Sequence, residues 1–262
     1  MKKYFYILSS TFILISCKKI INVDLNNAPA QIVIEGIVNN GNNATVIISK
    51  SVSVSSSNTY PAVSNATVTV KDNLGNSFVL SELPSVKGTY TSNLIGVAGR
   101  TYTLTVVADG NTYTATSTMP AAVNLDSLQP DQITFGNKNL KVIVPIYTDP
   151  PGLGNCYQFI EMINSRYVKN VYVWNDNVND GGVNTRRLIY SDPNNDSLNI
   201  KTGDVVSVEM RCIDKYVYRY MVGLTDLNGN QTTPTNPASN ISGGALGYFS
   251  AHTSQTKKIT MP

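Results

Sequence analysis

The 262-residue chain has a formal net charge of +3, only 14% charged residues, and a single histidine beside three cysteines. With no block of basic residues it lacks the electrostatic footprint of a nucleic-acid binder. So few imidazoles and thiols leave little material for a transition-metal centre, and the length allows one large domain or two ordinary ones.

Met1-Lys2-Lys3 is followed by an apolar run from Tyr4 to Ile15. The run is shorter than the roughly 20 residues a membrane-spanning helix needs and has the dimensions of a signal-peptide core. It ends in Leu14-Ile15-Ser16-Cys17, the pattern of a bacterial lipobox. Residues 1–16 are therefore predicted to be a lipoprotein signal and Cys17 the lipid-bearing first residue of the mature chain. Cleavage would remove Lys2 and Lys3 and no acidic residue, bringing the formal charge from +3 to +1. Diacylglycerol and an amide-linked acyl chain such as palmitate at Cys17 would anchor the protein stably, because two or more chains suffice. Residues 17–30 read as a polar tether, with Lys18 and Lys19 at the headgroups.

Residues 31–120 alternate apolar and polar positions between turn signals. Strands are predicted at Gln31–Val38, Ala44–Ser49, Asn65–Lys71, Phe78–Leu80, Thr101–Val107 and Thr112–Thr118, with Asp109-Gly110 as a two-residue hairpin turn. No helix is predicted there, and the spacing argues an antiparallel sandwich. A boundary is read at Met119-Pro120-Ala121-Ala122. In residues 121–262 strands are predicted at Leu125–Phe135, Leu140–Tyr147, Cys156–Ile163, Tyr167–Trp174, Arg186–Tyr190, Val205–Cys212, Ala245–Ala251 and Lys257–Thr260. One helix is predicted near 214–226, capped by Asp214 and burying Val217, Tyr220, Met221 and Leu224, with Gly229 after its end. Residues 228–244 read as a long loop. The expected fold is mostly β, two antiparallel sandwich-like domains in tandem, the second with one short helix.

Several phrases follow the lipobox in order: Val23-Asp24-Leu25, Ile32-Val33-Ile34-Glu35-Gly36, Pro61 to Val68, Gly88-Thr89-Tyr90, Gly99 to Leu104, Tyr113 to Pro120, Ser239-Asn240-Ile241 and Gly247-Tyr248-Phe249. The ordered set resembles a lipoprotein family of the Bacteroidetes, the domain-of-unknown-function family 4249, over nearly the whole mature chain. The first half is also similar to carboxypeptidase-regulatory-like sandwiches through its "ATVTV" strand and "GTY" phrase. The resemblance implies a two-part β-rich lipoprotein of the outer membrane whose partner would be a TonB-dependent receptor. It brings no catalytic residues. Surface-exported lipoproteins of that phylum often carry acidic residues after the lipid cysteine; Lys18-Lys19-Ile20-Ile21 stands here instead, which leaves the leaflet open.

Cys156 and Cys212 are left as a possible disulfide in an oxidising compartment, or as two buried thiols on separate strands. His252, the only histidine, is read as a surface strand residue. No G-x-S-x-G elbow and no C-x-x-C motif occur. The loop Asn175–Gly182 fails the EF-hand template, with Val178 or Asp180 at a required position, and reads as a solvated turn. With only four glutamates, no carboxyl pair recommends a glycosidase. No metal and no cofactor are expected. Tyr172 and Trp174, on one strand face, and Tyr248 and Phe249, ending the proline-restrained segment from Thr233, are candidate partner or ligand contacts or else ordinary core aromatics. The expected function is that of a non-enzymatic accessory protein, anchored in the outer membrane by its lipid and associated with a transporter. The alternatives are a structural or adhesive envelope protein and a surface enzyme acting on glycans or peptides.

Overall fold

The computed structural model describes residues 29–53, 59–135, 138–190, 199–227 and 236–262. The predicted signal segment 1–16, Cys17, nearly all of the predicted tether, and Gly229 lie outside the described residues.

The chain is mostly β. In the first half β1 (Ile32–Asn39), β2 (Thr45–Lys50), β3 (Thr67–Asp72), β4 (Ser77–Glu82), β5 (Thr89–Thr91), β6 (Thr101–Ala108) and β7 (Asn111–Thr118) follow in order. Their period-two pattern buries Ile34, Val38, Val68, Val70, Tyr102, Leu104 and Val106 in one core, each such side chain contributing about 1.5–3 kcal/mol. The β6–β7 hairpin closes on the Ala108↔Asn111 pair. Its two turn residues, Asp109 and Gly110, both have positive φ (50° and 77°), the conformation that matches strand twist in a two-residue turn.

The second half contains β8 (Leu125–Phe135), β9 (Lys138–Thr148), β10 (Cys156–Ile163), β11 (Arg166–Tyr167), β12 (Tyr172–Asn175), β13 (Val183–Asn184), β14 (Val205–Ile213), α1 (Lys215–Leu227), β15 (Ile241–Ser242) and β16 (Leu246–Thr260). A 13-stranded sheet runs β11-β10-β14-β16-β1-β2-β5-β4-β3-β6-β7-β15, with β12 also paired to β10; β13-β9-β8 form a second, three-stranded sheet. In the first half the large sheet folds over, β4 pairing with both β5 and β3, so that the core lies between β16-β1-β2-β5 and β3-β6-β7-β15. In the second half β10 and β14 present Tyr157, Phe159, Val208 and Met210 to Leu125, Ile143 and Tyr147 of the small sheet. On the opposite face Cys156 and Ile213 receive Val217 and Met221 of α1, with Tyr220 and Leu224 against them. The helix forms where its apolar spacing and its Asp214 cap place it: Asp214 Oδ1 accepts the N–H groups of Tyr216 and Val217 at 2.8 and 2.9 Å.

The structure departs from the sequence expectation in several places. The predicted closing strands 245–251 and 257–260 are one 15-residue strand, β16. It pairs in parallel with β1 through Leu246–His252 and antiparallel with β14 through Thr253–Thr260. Ile241, Ala245, Phe249 and Ala251 accordingly belong to the first core, although they lie beyond the boundary at residue 120. The predicted strand 167–174 is broken, and Asn170 Oδ1 takes the N–H of Val171 in place of a ladder carbonyl. The predicted strand 186–190 survives only as an isolated bridge between Leu188 and Ile143.

Cys156 and Cys212 are free and buried, so the possible disulfide is not formed. On β10 and β14 the register pairs Cys156 with Ile213 and Tyr157 with Cys212. The two cysteines are thus one position out of register and point to opposite faces, Cys156 toward α1 and Cys212 toward the small sheet.

Candidate functional site

Where the two halves meet, a cavity of about 870 Å³ opens, in the size range of small-molecule sites. Its walls come from β7, the connection Pro120–Val123, the loop Gly154-Asn155, the β14–α1 junction and the segment Ser239–Ser242. Hydroxyls and amides dominate the polar part of the lining, with Thr116, Thr118, Asn155, Ser239 and Asn240 among them; Ile213 and Ile241 supply apolar surface. Among the described residues only Asp214 and Lys215 bring charge to it.

Asp214 is the hinge pin of this joint. Its Oδ1 caps α1, while its Oδ2 accepts a hydrogen bond from Ser117 Oγ on β7. Ser117 Oγ in turn accepts the N–H of Ala251 on β16 at 2.8 Å. One carboxylate therefore ties helix, first sandwich and shared strand together, and it occupies N–H groups at the helix N-terminus that would otherwise attract an anion. Asp214→Ala should lower the unfolding free energy by about 2 kcal/mol, from the lost cap and the buried Ser117 hydroxyl left without its acceptor. Chemical denaturation checks this, with Asp214→Asn, which still caps, closer to the wild type.

Opposite the cap, Asn240 behaves as a substitute strand for β16. Its Nδ2 donates to Phe249 O at 2.8 Å and its Oδ1 accepts Phe249 N–H at 2.9 Å. Ser239 Oγ donates to Gly247 O at 2.7 Å. The part of the candidate loop that reaches the cavity is thus held by side-chain bonds to backbone. Residues 228–235 lie outside the described residues. At the rim Tyr216 is 49% exposed, with Lys215 Nζ at 5.2 Å and Arg219 Cζ at 5.8 Å from its ring centroid.

The aromatic candidates from the sequence do not gather here. Tyr172 is buried in the second core, where its hydroxyl donates to Glu161 Oε2 at 3.2 Å. Trp174 packs on the same core, 4.6 Å from the Phe159 ring, with Arg186 Cζ 5.7 Å from its own ring centroid. Phe249 is fully buried in the first core. Tyr248 stacks on Tyr220 at 5.0 Å under α1, and burial pushes its hydroxyl up to about 12. These four serve packing rather than presenting a contact surface. His252 is not a surface residue: it is buried, with Nδ1 2.9 Å from Ser250 Oγ. The cysteines that border the cavity are poor nucleophiles. Burial, reinforced by the Asp176 and Asp214 carboxylates, pushes the Cys156 thiol up to about 11, and burial also raises Cys212. Ser117, Tyr216 and Asn240 escaped the sequence reading because each looks like an ordinary strand, helix-surface or loop residue; only the Asp214 cap carried a local signal.

Fold and cavity define a mostly β, sandwich-type protein with a binding-sized cleft at its internal joint. Residues 18–258 match the family described as Domain of unknown function (DUF4249), and the chain belongs to that family. No curated protein matches the sequence. Among solved structures it is similar to a two fibronectin type-III domain segment from chicken tenascin, at 12% identity over 90% of this chain and 100% of that chain, with a TM-score of 0.26. That superposition is loose, and the architecture rests on the strand pairing above.

Proposed function

We propose that the protein is a non-catalytic, lipid-anchored accessory protein of the outer membrane, associated with a TonB-dependent transporter in ligand capture or receptor support. The observation that carries the ligand-capture half is the cavity of about 870 Å³ between the halves, rich in neutral hydrogen-bonding groups. Such a lining favours an uncharged ligand bearing hydroxyls or amides, with Tyr216 at the rim available to stack on a ring. The anchoring half is supported by Leu14-Ile15-Ser16-Cys17 behind a signal-like segment. The transporter is supported by the family resemblance alone.

The test is affinity purification of the tagged full-length chain from detergent-solubilised membranes. An outer-membrane receptor should co-purify with the wild type. The Cys17→Ser variant should lose the palmitate label and leave the membrane fraction. Recovery of no receptor with the wild type would overturn the transporter reading, and palmitate retained on Cys17→Ser would overturn the anchor.

A further inference from the structure

Asp149 follows β9 in the sequence Asp149-Pro150-Pro151-Gly152, and Asp176 and Asp180 lie in the loop after β12. Carboxylate oxygens of the three converge within 4.8 Å of one another. The two loops are stitched across this point by their backbones. Asp149 Oδ2 accepts Gly181 N–H at 3.2 Å, Asp180 Oδ1 accepts Gly152 N–H at 2.7 Å, and Asp176 Oδ2 accepts Gly154 and Asn155 N–H, both at 2.7 Å.

An acidic cluster with its oxygens turned to backbone N–H groups could be no more than a loop clasp. Two observations go further. Asp176 is only 3% exposed and its second oxygen, Oδ1, is buried with no hydrogen-bond partner. Asp149 is also 3% exposed, and among the described residues no Lys, Arg or His forms an ion pair with any of the three. Asp149 Oδ1 also accepts the Tyr157 hydroxyl, but two buried carboxylates and a third beside them, hydrogen-bonded yet without a countercharge, are an unfavourable arrangement that an ion would neutralise.

We propose that Asp149, Asp176 and Asp180 form a calcium site that clasps the 149–155 and 176–182 loops. The donors are all oxygen, with no thiol or imidazole, which suits a hard cation. Separations up to 4.8 Å can be bridged by one ion with bonds of about 2.3–2.6 Å, and loop carbonyls or waters would complete the shell. Magnesium, which demands near-ideal octahedral geometry at about 2.0–2.1 Å, fits such spread oxygens less well. The sequence template missed the site because the ligands come from two separate loops rather than one 12-residue run. Gly154 and Asn155, held by Asp176, also form part of the cavity wall; ion binding would therefore stiffen that wall.

The test uses the full-length protein in detergent, stripped with EDTA and titrated with calcium chloride by calorimetry and by thermal unfolding. One calcium should bind per chain. At calcium a hundredfold above Kd the unfolding temperature should rise by about 5 °C or more. Asp180→Asn, an exposed change that should fold normally, should weaken calcium binding at least about tenfold, since it removes one ligand charge of three, with little change in unfolding temperature in EDTA. Asp176→Asn, which keeps an oxygen for the Gly154 and Asn155 N–H groups, should abolish the calcium response. No heat and no shift in the wild type would overturn the proposal. So would an undiminished response in Asp180→Asn, whatever the folding of Asp176→Asn. An equal response to magnesium chloride would overturn the assignment to calcium.

Discussion

Glu161→Gln and His252→Gln are expected to tilt the pH profile of stability in opposite directions, while the wild type stays nearly flat between pH 4.5 and 6.5. Glu161 is 2% exposed; its Oε2 accepts the Tyr172 hydroxyl and its Oε1 has no partner. Burial raises its carboxyl from 4.5 to about 7. The folded state then holds a proton that the unfolded state releases. Its contribution is fully present below pH 4.5 and is lost as pH rises through 7, about 3 kcal/mol in all. His252 is 1% exposed; burial, helped by the Arg211 charge, lowers it from 6.5 to about 3. It is neutral in the fold and charged when unfolded over that interval. Its contribution is present above pH 6.5 and is lost as pH falls through 3, about 5 kcal/mol in all. Across the shared window the two slopes oppose one another and nearly cancel. With Glu161 made neutral, stability should climb by about 2 kcal/mol from pH 4.5 to 6.5; with His252 replaced, it should fall by about as much. Urea unfolding at half-unit pH steps measures both slopes, and two flat single-variant profiles would refute the burial assignments.

Gly247→Ala should destabilise the protein by about 4 kcal/mol, combining left-handed backbone strain with overpacking against main chain. Gly247 has φ +96° in β16, and a Cβ there would stand 2.1 Å from Ile34 O and 2.9 Å from Ile34 C. Ile34 is its parallel partner on β1, so no flexible side chain can move aside. Gly99→Ala is the control: φ is +82° but nothing lies within 4 Å of the added carbon, and it should cost only the conformational part, about 1–2 kcal/mol. Because β16 belongs to both halves, Gly247→Ala should lower the stability of both cores in one transition. Two separated transitions in denaturant, with only the first shifted, would contradict that coupling.

Local pattern made much of the β framework legible. Leu125–Phe135 and Cys156–Ile163 were readable to the residue because the turns that flank each strand are chemically marked. The helix was legible through Asp214 and the Val217/Met221 spacing. Residues 249–253 were misread because β16 is buried on both faces as it passes between the halves. Alternation vanishes there, and a histidine inside looks like one outside. The candidate site was mostly illegible. Ser117, Asp214 and Ala251 meet only through the tertiary fold, and Asp149 of the β9–β10 connection meets Asp176 of the loop after β12 in the same way. The aromatic residues drew attention by type, yet Tyr172 and Phe249 satisfy the core instead.

The shared strand also sets how the molecule would bear a load. Its parallel partner β1 begins at Ile32, near the amino end of the described residues, while the far end of β16 lies in the second half at Thr260. A pull between a membrane attachment at the amino end and a partner gripping the second half would draw these two parallel strands along their axes in opposite directions. The seven residue pairs from Val33↔Leu246 to Asn39↔His252 would then be loaded together in shear, rather than opened one after another like a zip. Tension directed that way would meet the resistance of the whole ladder at once, so a load between the amino end of β1 and the second half would be shared by all these pairs.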